Sequence, residues 1–349
     1  MTEYRMPAEW AAHEATWLTW PRNKTTWPGK MLAEVEGIYR QMIEALLPHE
    51  KVNLLVPDRK TVAKVLKTIR THHSPNLIFH EVKAVDTWIR DYGPIFVKRT
   101  TDDGRRTTDK SAFVKFTFNA WGGKYKDLAR DNDVVDRLPA LKKFKRINAP
   151  LVLEGGSIEV NGEGICLTTE QCLLNPSRNP DLSRSDIEKY LRDYLGVAKI
   201  IWLKEGIEGD DTDGHVDDIT RFCSPNTIVT ATESNKRDKN HEILKENLHI
   251  LRSERNLKGR RFRLLELPMP GTVGLGRKDT AANRLPASYA NFYIANKVVL
   301  VPLYDHRNDM PAIKILQEAF STRRIIGIQC CALVYGLGSI HCVTQQQPA

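Results

Sequence analysis

Near its C-terminus the chain reads Gly338-Ser339-Ile340-His341-Cys342-Val343-Thr344-Gln345-Gln346. A cysteine among small and polar residues suits a thiol nucleophile, because glycine lets backbone and substrate approach closely. The commoner fate of a free cysteine is that of a buried apolar filler, and one thiol does not decide between the two. His341 is adjacent, yet neighbouring strand residues face opposite sides, which makes it a poor base for Cys342. A better base stands in Asp210-Asp211-Thr212-Asp213-Gly214-His215-Val216-Asp217-Asp218. On a strand, His215 and Asp217 share one face and pair a group titrating near neutrality with a permanent anion. One chemistry that fits is a His215 general acid/base beside an Asp217 that holds a cationic substrate. Another is a metal centre, since Asp213-x-His215-x-Asp217 has the Asp-x-His-x-Asp form of dimanganese ureohydrolases. That centre needs further aspartates, and no partner Asp-x-Asp run stands in a suitable place. A solvated acidic turn is the third account of the same residues. Two more segments combine charge with glycine: Trp88-Ile89-Arg90-Asp91-Tyr92-Gly93-Pro94, and Leu153-Glu154-Gly155-Gly156-Ser157. In the first, Arg90 and Asp91 could form a simple salt bridge. In the second, a carboxylate precedes a Gly-Gly that permits close backbone approach. No G-x-G-x-x-G or Walker lysine stands in strand–loop–helix context, so these glycines do not make a phosphate loop.

The elements that must position these groups alternate short apolar strands with amphipathic helices, which points to an α/β protein. Strands are predicted at Val52–Val56, Leu77–Val82, Phe113–Phe118, Lys199–Leu203, Thr227–Thr230, Arg263–Leu267, Val298–Val301 and Arg324–Ile328. Helices are predicted at Lys30–Leu47, Arg59–His72, Ser183–Leu195, Asn240–Ser253 and Asp309–Phe320. No Pro/Ser-rich linker divides the chain, so residues 1–349 are read as a single domain. The order strand, loop, Gly214-His215-Val216-Asp217 returns as strand, loop, Ser339-Ile340-His341-Cys342, which places Asp217 and Cys342 on equivalent positions 125 residues apart. Counting hairpin, helix and return strand as one module gives about five copies, with inner strands starting near Arg90, Gly155, His215, Tyr289 and Ile340. The last copy runs out at Ala349 while the strand Ala15–Trp20 lacks a partner. Joining those ends closes a ring with a central channel, where a site is assembled from distant segments.

Composition bounds the function classes. With 41% hydrophobic and 27% charged residues the chain can bury a large core. No apolar run approaches the ~20 residues that span a bilayer, and Met1–Glu14 carries acids without an apolar segment and cleavage site. No membrane partner is expected. Cys166, Cys172, Cys223, Cys330, Cys331 and Cys342 show no C-x-x-C spacing, and the expected compartment is a reducing cytoplasm. The net charge of +9 raises the question of nucleic acid. Lysines and arginines are scattered, however, with only short clusters such as Lys142-Lys143-Phe144-Lys145-Arg146, and no nucleic-acid partner is expected. Acids are concentrated instead: Glu205, Glu208, Asp210, Asp211, Asp213, Asp217 and Asp218 crowd one short stretch, as a cation site or a solvated loop would.

Taken together these pieces resemble the agmatine deiminases and the related bacterial-type peptidylarginine deiminases. The resemblance rests on Met6-Pro7-Ala8-Glu9-Trp10 with His13, Thr16-Trp17 and Trp20-Pro21, then Trp88-x-Arg90-Asp91-x-Gly93-Pro94 and Asn119-x-Trp121-Gly122. It continues through Glu154-Gly155-Gly156, Gly214-His215-x-Asp217, Leu285-Pro286-Ala287-Ser288-Tyr289 and Ile340-His341-Cys342-x-Thr344-Gln345-Gln346. The matches keep one order along almost the whole chain. The resemblance implies a five-module pseudo-symmetric α/β propeller of the guanidino-group-modifying superfamily. It implies Cys342 as nucleophile, His215 as general acid/base, Asp91 and Asp217 as a guanidinium clamp, and Glu154 steering His215. Trp88 is carried over as a further substrate contact, and Asp211 and Asp213 are candidates for holding a distal amine. One departure is Leu337, where relatives usually carry a third glycine; it bears on the loop beside Cys342 and leaves the nucleophile standing.

The implied reaction is hydrolytic deimination of agmatine to N-carbamoylputrescine and ammonia, with no metal or organic cofactor. Peptidylarginine deimination is the nearest alternative, and a manganese ureohydrolase a more distant one that leaves Cys342 without a role. The partner expected is a small guanidinium cation, and the sequence leaves a homo-oligomer open. Two carboxylates can each accept paired N–H bonds from a planar guanidinium and fix its orientation. A thiol near pKa ~8.5 needs help to ionise at neutral pH, and a nearby cation supplies it.

Overall fold

Val35, Ile38, Tyr39, Met42, Ile43 and Leu46 recur at three- and four-residue intervals, so the helix Met31–Leu46 buries one apolar face. Ser183 caps the helix Arg184–Leu195: its hydroxyl accepts from the Asp186 N–H, Asp186 accepts from the Ser183 N–H, and Gly196 ends the helix in a left-handed turn. The strand Lys51–Val56 is buried at every position after Lys51, as a parallel strand covered on both faces should be. The computed structural model describes residues 3–70, 74–100, 106–274 and 284–349.

Among the described residues the strands form five sheets. Four are built on hairpin-like first pairs: Ile95–Thr100 with Arg106–Thr117, Glu159–Val160 with Ile165–Thr169, Thr220–Ser224 with Thr227–Thr232, and Tyr293–Ile294 with Val298–Leu303. All four pairs are antiparallel. In each, the second strand then gains a parallel neighbour after an excursion: Lys145–Val152, Lys199–Leu203, Arg263–Pro268 and Arg324–Gln329 respectively. The fifth sheet repeats the order with strands from opposite ends of the chain. Thr344–Pro348 runs antiparallel to His13–Thr19, which is parallel to Lys51–Val56, and Leu77–Glu81 adds an outer strand. Trp17 Nε1 donates to Gln347 Oε1 at 2.9 Å and helps to pin that register. The partner missing for the early strand in the sequence is thus the last strand of the chain.

The excursions are amphipathic helices in four sheets: Met31–Leu46, Arg184–Leu195, Asn240–Ser253 and Asp309–Ala319. Between Arg106–Thr117 and Lys145–Val152 the chain instead makes short 3-10 turns, Leu128–Asp133, Val135–Arg137 and Pro139–Lys143. The helix expected to reach His72 runs Arg59–Thr68, and residues 71 and 72 lie outside the described residues. No helix is long and apolar enough to cross a membrane among the described residues.

Candidate active site

The turn that leads into the first strand of each sheet carries the polar groups of one buried site. Asp91 lies in the short helix Ile89–Tyr92, just before Ile95–Thr100. Glu154 precedes the 3-10 turn Gly155–Ser157 and the strand Glu159–Val160. His215, Asp217 and Asp218 lie at the 3-10 turn Val216–Asp218 before Thr220–Ser224. Asn291 precedes Tyr293–Ile294, and His341 and Cys342 precede Thr344–Pro348. Two sequence expectations are corrected here. His215 and Asp217 do not alternate on a strand, and Cys342 stands before its strand rather than on it. A turn can direct consecutive side chains to one centre, which a pleated strand cannot.

The groups converge around Gly156. A Cβ there would lie 2.5 Å from His215 Nδ1, 3.0 Å from Asp91 Oδ1 and 3.1 Å from Asp217 Oδ2, so only glycine leaves these three polar atoms their places. The Gly156 N–H donates to Asp91 Oδ1 at 3.0 Å, and Trp121 Nε1 donates to Asp91 Oδ2 at 2.9 Å. Trp121 is delivered by a left-handed turn at φ +55°, braced by Asn119 Oδ1 accepting from the Gly122 N–H at 2.8 Å. Arg90 does not pair with Asp91. It donates to Gln345 Oε1 and Gln346 Oε1 at 2.8 and 2.7 Å and meets Glu9 at 3.4 Å, tying the Asp91 turn to the last strand.

Cys342 is buried, and Asn291 Nδ2 approaches its Sγ at 3.2 Å while also donating to Asp218 Oδ1 at 2.9 Å. Asn291 Oδ1 accepts from the His341 N–H at 2.9 Å, so one amide contacts both the Cys342 thiol and its loop. Burial, followed by the carboxylates of Asp217, Asp218 and Asp91, pushes the thiol well above its ordinary range. His215 Nδ1 stands 3.8 Å from Asp91 Oδ1, and its Nε2 stands 3.9 Å from Glu154 Oε2. Burial alone would favour neutral imidazole. The charge of Asp91, followed by the side chains of Cys172 and Glu154, outweighs it and raises His215 well above 6.5. Asp91 is lifted to about 6 by burial, aided by Asp217 and Glu154 and opposed by His215. Asp217 goes the other way: burial is overcome by His341, whose Nδ1 lies 2.6 Å from Asp217 Oδ2. The other His341 nitrogen lies 2.7 Å from Glu9 Oε2. With both ring nitrogens facing carboxylates, His341 is not available as a base for Cys342.

A cavity of about 580 Å³ opens onto this centre, lined by Trp88, Asp91, Trp121, Tyr125, Asp211, Leu337 and Cys342 among others. Trp88 and Asp211 therefore face the same space as the thiol. Asp213 does not line it: its carboxylate bonds Lys124 and Arg178. That also separates the three members of the Asp-x-His-x-Asp pattern, because Asp213 is turned to Arg178 while Asp217 is held by His341. Arg178 further donates Nε to Glu154 Oε1 at 3.0 Å. Burial raises the Glu154 carboxyl, but His215 and Arg178 outweigh it and keep it below its usual range. Two donor groups come within 4.8 Å among the described residues, Glu154–Cys172–His215 and Asp217–Asp218–Cys342. Both could offer ligands to a metal ion. The first adjoins the Arg178 guanidinium, which disfavours a cation.

Sequence reasoning did not single out Asn291, Glu9, Arg178 or Asp218 as parts of the site. Asn291 was recoverable, because it stands two residues before the first strand of its sheet, as Cys342 does before Thr344–Pro348. Arg178 carried no such signal.

A buried thiol, an imidazole and several carboxylates, delivered by successive turns of an α/β scaffold to one cavity, are the equipment of an enzyme that attacks a cationic carbon centre. The comparisons specify it further. The chain belongs to the Porphyromonas-type peptidyl-arginine deiminase family, whose model matches residues 5–348. It is 36% identical over 368 residues to the agmatine deiminase of Medicago truncatula, covering 99% of this chain and 96% of that one. The structure of Enterococcus faecalis agmatine deiminase superposes with a TM-score of 0.90 at 31% identity, covering 99% of this chain and 96% of the other. A cysteine-to-serine variant of C. jejuni agmatine deiminase with substrate bound gives a TM-score of 0.86 at 32% identity, with coverage of 99% and 96%.

Proposed function

We propose that this chain hydrolyses agmatine to N-carbamoylputrescine and ammonia through a covalent intermediate on Cys342. The observation that carries the reading is the convergence at Gly156. His215, Asp91 and Asp217 meet there, and Asp91 and Cys342 line one cavity. In this reading Asp91 and Asp217 accept the N–H groups of the guanidinium and hold its plane across the thiol. The bound cation offsets the carboxylates that raise the Cys342 thiol, and so favours the thiolate. Sulfur adds to the guanidinium carbon; a proton from His215 goes to the departing nitrogen, and the C–N bond breaks to release ammonia. Water then adds to the amidino-thioether carbon with its proton passing to His215, and the C–S bond breaks to return the thiol. General acid–base assistance of this kind contributes ~10²–10⁴-fold. Glu154, anchored by Arg178, orients His215 from behind.

The finer architecture belongs to the same reading. Five sheets with one strand order, and chain ends that share a sheet, support a five-module propeller with the site near its axis. Because its groups come from Glu9 to Cys342, the chain acts as one catalytic unit. Six free thiols fit a reducing cytoplasm. Asp211 is the candidate to hold the distal amine of agmatine, since it faces the cavity and Asp213 does not. Ammonia release should be measured from agmatine, free arginine and a blocked arginyl peptide side by side. Agmatine should be the preferred substrate; preference for the peptide would replace this reading with protein citrullination.

A further inference from the structure

Residues 336–338 pass along the cavity wall as Gly-Leu-Gly. The two glycines are dictated by what they touch. A Cβ on Gly336 would stand 2.7 Å from the Trp27 ring, and one on Gly338 would stand 2.5 Å from the Trp88 ring and 3.1 Å from Cys342 Cβ. Trp27 and Trp88 are buried against each other with ring centroids 5.6 Å apart, so neither has room to retreat. Leu337 is the one residue of the three with a side chain, and its backbone is left-handed at φ +70°. A leucine gains nothing from that conformation: its Cβ crowds the following carbonyl, and it has no polar group to bond back as asparagine does. An outlier of this kind marks a position that its surroundings over-determine. Leu337 shares the cavity with Asp91 and Cys342, whose other charged lining residues are Asp86, Lys126, Asp127 and Asp211.

We infer that Leu337 is a specificity-determining residue. It forms an apolar wall against the carbon chain of the substrate, so that an unbranched alkyl guanidine fits and one branched by a carboxylate or peptide group does not. The inference rests on the function proposed above and narrows its substrate class. The four carboxylates in the lining act in the same direction, because they repel an α-carboxylate and leave a distal ammonium favoured.

The test compares agmatine, free arginine and an Nα-blocked arginine amide. Binding is measured by calorimetry in a Cys342→Ser background, and kcat/KM is measured with Cys342 intact, for Leu337, Leu337→Ala, Leu337→Gly and Leu337→Asn. Alanine removes the wall but keeps a strained backbone, glycine removes both, and asparagine keeps comparable bulk while tolerating the left-handed turn. The ratio of arginine-type to agmatine binding should rise roughly tenfold in Leu337→Ala and Leu337→Gly, the scale of discrimination by a few apolar contacts. It should stay near the parent value in Leu337→Asn. An unchanged ratio in both small variants, or a change in Leu337→Gly alone, would overturn the inference. Failure of the parent enzyme to release ammonia from agmatine would instead overturn the proposed function.

Discussion

Replacing Asp217 by asparagine should make the nucleophile more reactive while stopping turnover. A carboxylate oxygen of Asp217 lies within 4.8 Å of Cys342 Sγ, both groups are buried, and His341 keeps Asp217 ionised. At an effective dielectric constant of about 20, a unit charge at that separation opposes the thiolate by about 3.5 kcal/mol, or roughly 2.5 pH units. Removing the anion stabilises the thiolate, so the thiol pKa must fall. The assay is the pH dependence of iodoacetamide alkylation of the unliganded protein, with the modified peptide mapped to Cys342. The midpoint in Asp217→Asn should lie about 2.5 units below that of the parent, while ammonia release from agmatine should be lost because the proposed clamp has lost one arm. Asp218→Asn is the internal control. Its carboxyl is pushed well above the usual range by burial and by Asp217, so its anion is less favoured than that of Asp217 and its removal should move the midpoint less. An Asp217→Asn profile that coincides with the parent, or a larger shift in Asp218→Asn, would refute the electrostatic reasoning.

Three further outcomes follow from the same geometry. Asp91 titrates at about 6, and only its carboxylate can clamp a guanidinium, so agmatine affinity in Cys342→Ser should weaken as pH falls through about 6; calorimetry between pH 5 and 8 that finds constant affinity would contradict this. The sign is opposite for the unliganded fold, since a carboxyl raised from 3.8 to about 6 costs stability as pH rises between those two values. Gly156→Ala would put a Cβ 2.5 Å from His215 Nδ1, and should lower kcat/KM by roughly 10²-fold with little change in the melting temperature; activity near the parent value would remove Gly156 as the focus of the site. His341→Gln leaves Glu9 and Asp217 buried without the ring between them, and should cost about 3 kcal/mol in urea titrations; an unaltered midpoint would show that the pairing is not structural.

The repeat was legible because strand order and turn residues recur even where identity between copies is low. The pairing of Thr344–Pro348 with His13–Thr19 follows from an unpartnered strand at each end. Other features were not legible for physical reasons. Alternating residues suggested a strand at His215–Asp217, yet a 3-10 turn follows His215, a difference of one backbone dihedral well that side-chain types do not report. Asp213 looked equivalent to its acidic neighbours until Arg178, 35 residues away, captured it. Asn291 lacks the charge that draws attention to Asp217, although it contacts both the thiol and its loop. Glu9 meets His341 across 332 residues of sequence, and nothing local to Met6–Trp10 announces that contact. The left-handed turn at Leu337 is a conformation usually signalled by glycine or asparagine, so a leucine concealed it.

The atom that bonds the guanidinium carbon decides the mechanism. Quenching the enzyme during turnover of agmatine and weighing the intact chain should reveal a species heavier by the mass of agmatine less ammonia. Digestion should map that mass to the peptide containing Cys342. Sustained ammonia release with no covalent species, or an adduct on another residue, would contradict the account.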